Sequence, residues 1–151
     1  MNEPLPSPPL PTRSPLSRIR VVMVETSHPG NIGSAARAMK TMGLTNLVLV
    51  APKLADATAH RDAIALASGA TDVLANAKVF ATFDEAIADV CFAIAFTARK
   101  RELSHPFKPL REAAQMAVAE AVSGEVALVF GNEAMCLSNE EVDRCQLVSA
   151  I

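Results

Sequence analysis

The chain switches repeatedly between two periods of apolar patterning, and no other feature constrains its fold as strongly. Residues 19–25 (IRVVMVE) are β-branched and apolar without alternation, the pattern of a strand buried on both faces. Residues 31–43 then read as a helix, because at about 100° per residue Ile32, Ala35, Ala36 and Met39 share one face. The alternation continues with a strand at 46–51, a short helix at 59–68 and a short strand at 78–81. Thr82 and Glu85 have capping-box spacing for a helix over 83–89, and 90–97 (VCFAIAFT) is a strong strand. An alanine-rich helix spans 110–123 with Pro109 at its first turn, followed by a strand at 125–130. Ser138 and Glu141 open a short helix ending near Arg144, and 146–151 begins a last strand. Such a pattern predicts an α/β fold, a parallel sheet with helices on both faces. Ligands of these sheets lie beyond the carboxyl ends of the strands, which singles out the loops 26–31, 97–108 and 131–137.

The rest of the composition narrows the class. The 151 residues suit one domain, and half of them are hydrophobic, so most of the chain can bury a core. Six of the ten prolines lie within residues 1–15, so residues 1–18 read as a disordered tail and 19–151 as the folded domain. No apolar run nears the roughly 20 residues of a membrane helix, and no secretory signal opens the chain. Cys91, Cys136 and Cys145 form no CxxC pair, which argues against a zinc site or disulfide framework and favours the cytoplasm. With six Phe and neither Trp nor Tyr, a base-stacking sheet is unexpected. The net charge is only −2, yet Arg99, Lys100, Arg101, Lys108 and Arg111 face a single Glu102 within residues 99–111. A local basic segment of this kind suits phosphate contact, although a solvated loop explains it equally well.

Three loops could carry chemistry. In the first, Gly30 and Gly33 lead into the helix bearing Arg37 and permit close backbone approach, and a helix N-terminus attracts anions. The spacing is neither GxGxxG nor a P-loop, and a plain turn capped by Asn31 is the alternative. Arg37 points away from the apolar stripe, as a solvated cation or as one presented to a ribose or phosphate; Met39 and Met42 are core filler. In the second loop, Gly131 to Ser138, Glu133 is either a turn residue or a carboxylate aimed into a crevice. The third is the basic segment after Thr97; His105, followed by Pro106, gains no catalytic role.

Taken in order, residues 19–53 with ETSHPGNIGSAARAMKTMGLTNLVLVAPK, FTAR at 96–99 and LVFGNEAMCLSNEE at 128–141 resemble one family closely. It is the SpoU/TrmH-like RNA ribose methyltransferases of the SPOUT superfamily, with the bacterial TrmJ type nearest. The resemblance covers about Ile19 to Ile151. It implies a trefoil-knot α/β fold, S-adenosylmethionine as methyl donor, and methylation of a ribose 2′-hydroxyl at the first pyrimidine of the tRNA anticodon loop. rRNA is the less favoured substrate. It implies a homodimer in which Arg37 of one subunit approaches the cofactor of the other, and it requires no metal. Asn31, Arg37 and Glu133 match the catalytic motif positions. Phe96, Thr97, Ala98, Gly131 and Ile151 match the cofactor pocket, and Arg99, Lys100, Arg101 and Lys108 are the expected RNA contacts. A guanidinium, with a pKa above about 12, suits Arg37 to orienting the ribose and stabilising a developing alkoxide better than to acting as a base.

Two departures from the family pattern shape the expectations. A third motif should begin near Ile151, so the domain is expected to be incomplete at its C-terminus, to stop before the knot and to lack activity by itself. Cys136 stands where the family usually has glycine; if that position needs a positive φ, the Cβ costs roughly 1 kcal/mol and could distort the loop carrying Glu133. The alternative of a different class is an inactive RNA-binding or dimerising remnant. A nucleotide-binding α/β protein with a loosened glycine loop is disfavoured, because Val50-Ala51-Pro52 stands where an acidic ribose ligand should end the second strand.

Overall fold

A computed structural model describes residues 2–7, 14–98 and 105–151. Its strands are β1 (Ile19–Val24), β2 (Asn46–Val50), β3 (Lys78–Phe80), β4 (Val90–Thr97), β5 (Glu125–Phe130) and β6 (Leu147–Ala150). The helices are α1 (Pro29–Thr41), α2 (Arg61–Ala67), α3 (Thr71–Ala75), α4 (Phe83–Ala86), α5 (Leu110–Ala121) and α6 (Asn139–Asp143). All strand pairs are parallel, in the order β3-β2-β1-β5-β4-β6.

The pleat explains the continuous apolar runs. Ile19, Val21, Leu47, Leu49, Ile94, Phe96, Val126 and Leu147 point to one face, where α1, α2, α3 and α5 cover them. Val22, Val48, Val50, Ala93, Ala95, Ala127 and Val129 point to the other, against α4 and α6. Ala113, Ala117 and Ala121, four residues apart, let α5 lie close on the sheet. At the opposite edge of the sheet from the loops of interest, Arg20 grips Asp89 with two 2.8 Å bonds and donates to the Ala86 carbonyl at 2.9 Å. These contacts hold the Asp89 carboxyl below its ordinary range.

The parallel α/β architecture agrees with the sequence reading, while several boundaries differ. Residues 15–18, assigned above to the tail, form a 3-10 turn: Leu16 packs on the core, and Arg18 donates to the Ala121 and Val122 carbonyls at 3.1 Å. α1 starts at Pro29 rather than 31, since proline is preset for the first helical position. The helix expected over 59–68 is present as α2, preceded by a 3-10 turn and ended by Ser68 at φ 52; a second 3-10 turn and α3 follow it. The helix expected over 83–89 ends at Ala86. The last strand ends at Ala150 and has neighbours on both sides. β4 lies on one side, and on the other the Val148 N–H donates to the Pro106 carbonyl at 2.9 Å while its carbonyl accepts from Lys108 at 3.1 Å.

Candidate active site

The strand order decides which loops meet. β5 lies between β1 and β4, so the loop after β1 and the loop after β5 become neighbours at the carboxyl edge although more than 100 residues separate them. Glu133 joins them. Its Oε2 accepts from the Ser27 N–H at 3.0 Å, and its Oε1 accepts from the His28 N–H at 3.3 Å and from Asn31 Nδ2 at 2.9 Å. His28 is the N-cap of α1 and its side chain makes no cap bond, so a carboxylate from a distant loop caps the helix. Partial burial alone would push the Glu133 carboxyl up. Donors from Ser27, Asn31, its own backbone and His28 outweigh that and hold it at about 2. At neutral pH Glu133 is therefore ionised and surrounded by donors, an arrangement suited to orienting Asn31 and unsuited to taking up a proton.

Arg37 stands apart from this pair. It is exposed on α1 and, among the described residues, its side chain makes no hydrogen bond or ion pair. Six residues at a rise of about 1.5 Å put it roughly 9 Å along the axis from Asn31. Gly30 and Gly33 correct the sequence reading. A Cβ on Gly33 would overlap the Ala63 carbonyl and one on Gly30 would sit 2.8 Å from Leu66 Cδ1, so the close approach they permit is that of α2 and not of a ligand. Nor does Asn31 cap α1 in the ordinary way, since it lies inside the helix and its amide nitrogen bonds Glu133.

The loop after β5 is a tight turn. A Cβ on Gly131 would overlap the backbone of Cys136 and Leu137. Cys136 has φ 58, so the glycine-favouring conformation suspected from sequence is present. The turn nevertheless closes, with the Cys136 N–H donating to the Asn132 carbonyl at 2.9 Å, and Glu133 still reaches α1. The Cβ thus strains the loop without dislodging the carboxylate.

The residues expected around a cofactor gather at the ends of β5, β4 and β6. Phe96 is 5% exposed and stacks on Phe130, with ring centroids 4.9 Å apart and planes 7° apart. Thr97 is buried and in register with Ala150, Ala98 is exposed, and Ile151 is 69% exposed. Ser149, in register with Phe96, has a fully buried hydroxyl with no hydrogen-bond partner among the described residues. Exposed Ala98 and Ile151 leave apolar surface at this end of the sheet, which together with the Ser149 hydroxyl beneath it suits a nucleoside. Among the described residues no group of His, Cys, Asp and Glu could hold a metal ion, and no helix is long and apolar enough to cross a membrane. Of the basic segment, Arg99, Lys100 and Arg101 lie outside the described residues; Lys108 is exposed, 4.0 Å from Glu112.

Two rim residues escaped the sequence reading. Lys53 donates its backbone N–H to the Thr26 carbonyl at 3.0 Å, and its Nζ lies 3.6 Å from Glu25, so a cation flanks the first loop. Asn132 is buried between the two loops, and the only sequence signal for it was an asparagine opening a turn.

Fold and rim together define a parallel α/β domain of the SpoU/SPOUT methyltransferase fold. The model of the SpoU rRNA Methylase family matches residues 18–151, and the chain belongs to that family. It is 51% identical over 136 residues to the tRNA (cytidine/uridine-2′-O-)-methyltransferase TrmJ of Escherichia coli (strain K12), covering 90% of this chain and 54% of that protein. Among solved structures, a probable methyltransferase from Bordetella pertussis Tohama I is 48% identical with a TM-score of 0.83, over 91% of this chain and 82% of that one. TrmJ from Z. mobilis ZM4 is 36% identical with a TM-score of 0.80, over 87% and 57%. The chain spans about half the length of the curated relatives it matches.

Proposed function

We propose that the protein transfers a methyl group to a ribose 2′-hydroxyl of RNA, and that the RNA is a tRNA methylated at the pyrimidine that starts its anticodon loop. The observation that carries this reading is the Glu133 carboxylate binding Asn31 and the start of α1, which unites the first and second family motifs in one rim. The choice of tRNA over rRNA follows the activity for which the 51% identical relative is named. S-adenosylmethionine, when bound, supplies an electrophilic methyl on a sulfonium. Phe96, Thr97, Ala98, Gly131 and Ile151 are the residues proposed to hold it, and the unused Ser149 hydroxyl adds a polar contact there.

The protein's own task is to bring a ribose oxygen into line and to stabilise the charge that grows on it. Asn31, its amide nitrogen held by Glu133, presents its carbonyl oxygen as an acceptor for a ribose hydroxyl. Arg37 supplies positive charge to the developing alkoxide. Its separation from Asn31 along α1 supports a homodimer in which it serves the partner's site. An apolar groove beside α1, lined by Met23, Ala38, Leu128, Phe130 and Met42, which is 59% exposed and not the core filler expected from sequence, supports the same arrangement. Arg99, Lys100, Arg101 and Lys108 are proposed to hold tRNA phosphates, with no metal in the reaction and the cytoplasm as the compartment.

A remnant without catalysis would be favoured if Cys136 had pulled Glu133 off α1, which it has not. The test is to incubate the protein with S-adenosylmethionine and unmodified tRNA and to map the product by primer extension at low nucleotide concentration. A new stop at the first anticodon-loop pyrimidine is expected, in place of the inactivity that the sequence alone suggested for residues 19–151, because Glu133 already joins Asn31 and the start of α1. Methylation of a base, or no methylation of any tRNA, would overturn the reading.

A further inference from the structure

Asn132 has no hydrogen-bonding capacity left for a ligand. The residue is 7% exposed. Its Nδ2 donates to the Glu25 carbonyl at 2.6 Å and to Ser27 Oγ at 2.9 Å, and its Oδ1 accepts from the Ala134 and Met135 N–H groups at 2.8 and 3.0 Å. A primary amide has two donor hydrogens and two acceptor lone pairs, so all four positions are used by protein.

The partners are not ordinary loop atoms. Glu25 sits at φ 52, a left-handed conformation that a residue with a side chain seldom holds unless its surroundings enforce it. Its N–H donates to the Val50 carbonyl at 2.8 Å, and Asn132 secures its carbonyl from the other side. Ser27 is the residue whose N–H binds Glu133. Ala134 and Met135 belong to the turn that carries Glu133. One buried amide therefore fixes the bend after β1, the donor that receives the Glu133 carboxylate and the turn that delivers it.

We propose that Asn132 is a positioning residue of the active site: it sets the spacing between the two rim loops, and thereby holds Glu133 on Asn31 and on the start of α1. Its effect on methyl transfer rests on the function proposed above, but the clamp itself does not.

Asn132→Asp tests this with almost no change in volume. The new carboxylate puts an acceptor against the Glu25 carbonyl, and a proton on it restores one donor. The ionisable groups of the same network are Glu25 with its partner Lys53, and Glu133 with His28 beside it. When the new carboxyl is ionised, hydrogen-exchange protection of the Ser27 and His28 N–H groups, corrected for intrinsic rates, should fall at least about tenfold below the parent. It should recover as pH is lowered through the titration of that carboxyl. Methyl transfer should follow the same pH profile through kcat, with KM for RNA little changed, which a general loss of stability would not produce. A folded Asn132→Asp protein with parental protection of both amides at every pH overturns the proposal. If that variant does not fold, Ser27→Ala decides the matter: protection of the same amides should drop several-fold, and unchanged protection overturns the proposal. A parent that transfers no methyl group would defeat the proposed function, while the exchange comparison would still judge the clamp.

Discussion

Replacing Glu133 by glutamine keeps the shape of the side chain and removes the charge that caps α1. In the folded protein the carboxyl is held at about 2, against an ordinary 4.5. At about 1.4 kcal/mol per pKa unit, that difference corresponds to an upper limit near 3 kcal/mol. Glu133 is largely exposed, so solvent screens much of this, and about 1–2 kcal/mol is the expected contribution, in line with other helix caps. Because the folded-state pKa is the lower one, the stabilisation is present above the unfolded value and is lost as pH falls from about 4.5 to about 2. Glu133→Gln should thus melt roughly 3–8 °C below the parent at pH 7, by circular dichroism, for a domain of this size. The gap should shrink below pH 4.5 and nearly close at about pH 2. A gap of equal size at pH 7 and pH 3, or none at pH 7, would refute the electrostatic capping argument.

Three further outcomes are expected, two from the geometry of the turn at Cys136 and of α1, and one from the RNA contact proposed above. Cys136→Gly relieves the Cβ at φ 58 but loosens the unfolded chain, so urea denaturation should show a net gain of up to about 1 kcal/mol, and a loss would contradict the strain assigned there. Gly33→Ala forces α1 away from the Ala63 carbonyl and should cost about 1–3 kcal/mol in the same assay; a neutral result would mean that α2 does not pack there as described. Lys100→Ala with Arg101→Ala should weaken tRNA binding and lower the slope of log affinity against log salt by roughly 1–2, and an unchanged slope would remove these residues from the RNA contact.

Much of the fold was legible because strands buried on both faces read as unbroken apolar runs. β4 and β5 fall on the expected residues, as does the Ser138–Glu141 capping box. α3 was not foreseen, since five residues after a Ser68-Gly69 break are too few to show a period. Strand order leaves no trace in apolar patterning, and the pairing of β1 with β5 is what gives the rim its meaning. Glu133 could be singled out as a carboxylate in the right loop, but its role as a cap on α1 depends on that pairing. Gly33 shows the same gap from the other side: the sequence records that something comes close, and only the fold identifies it as α2. Asn132 was missed because its value lies in four partners contributed by two loops distant in sequence.

Calorimetric titration of S-adenosylhomocysteine into the folded protein tests most directly whether the carboxyl ends of β5, β4 and β6 form a methyl-donor site. Saturable binding of one molecule per chain is expected, together with its loss in Gly131→Val, whose side chain would collide with the turn at Cys136. A protein that is folded by circular dichroism yet gives no binding heat at any concentration would contradict the assignment of that site.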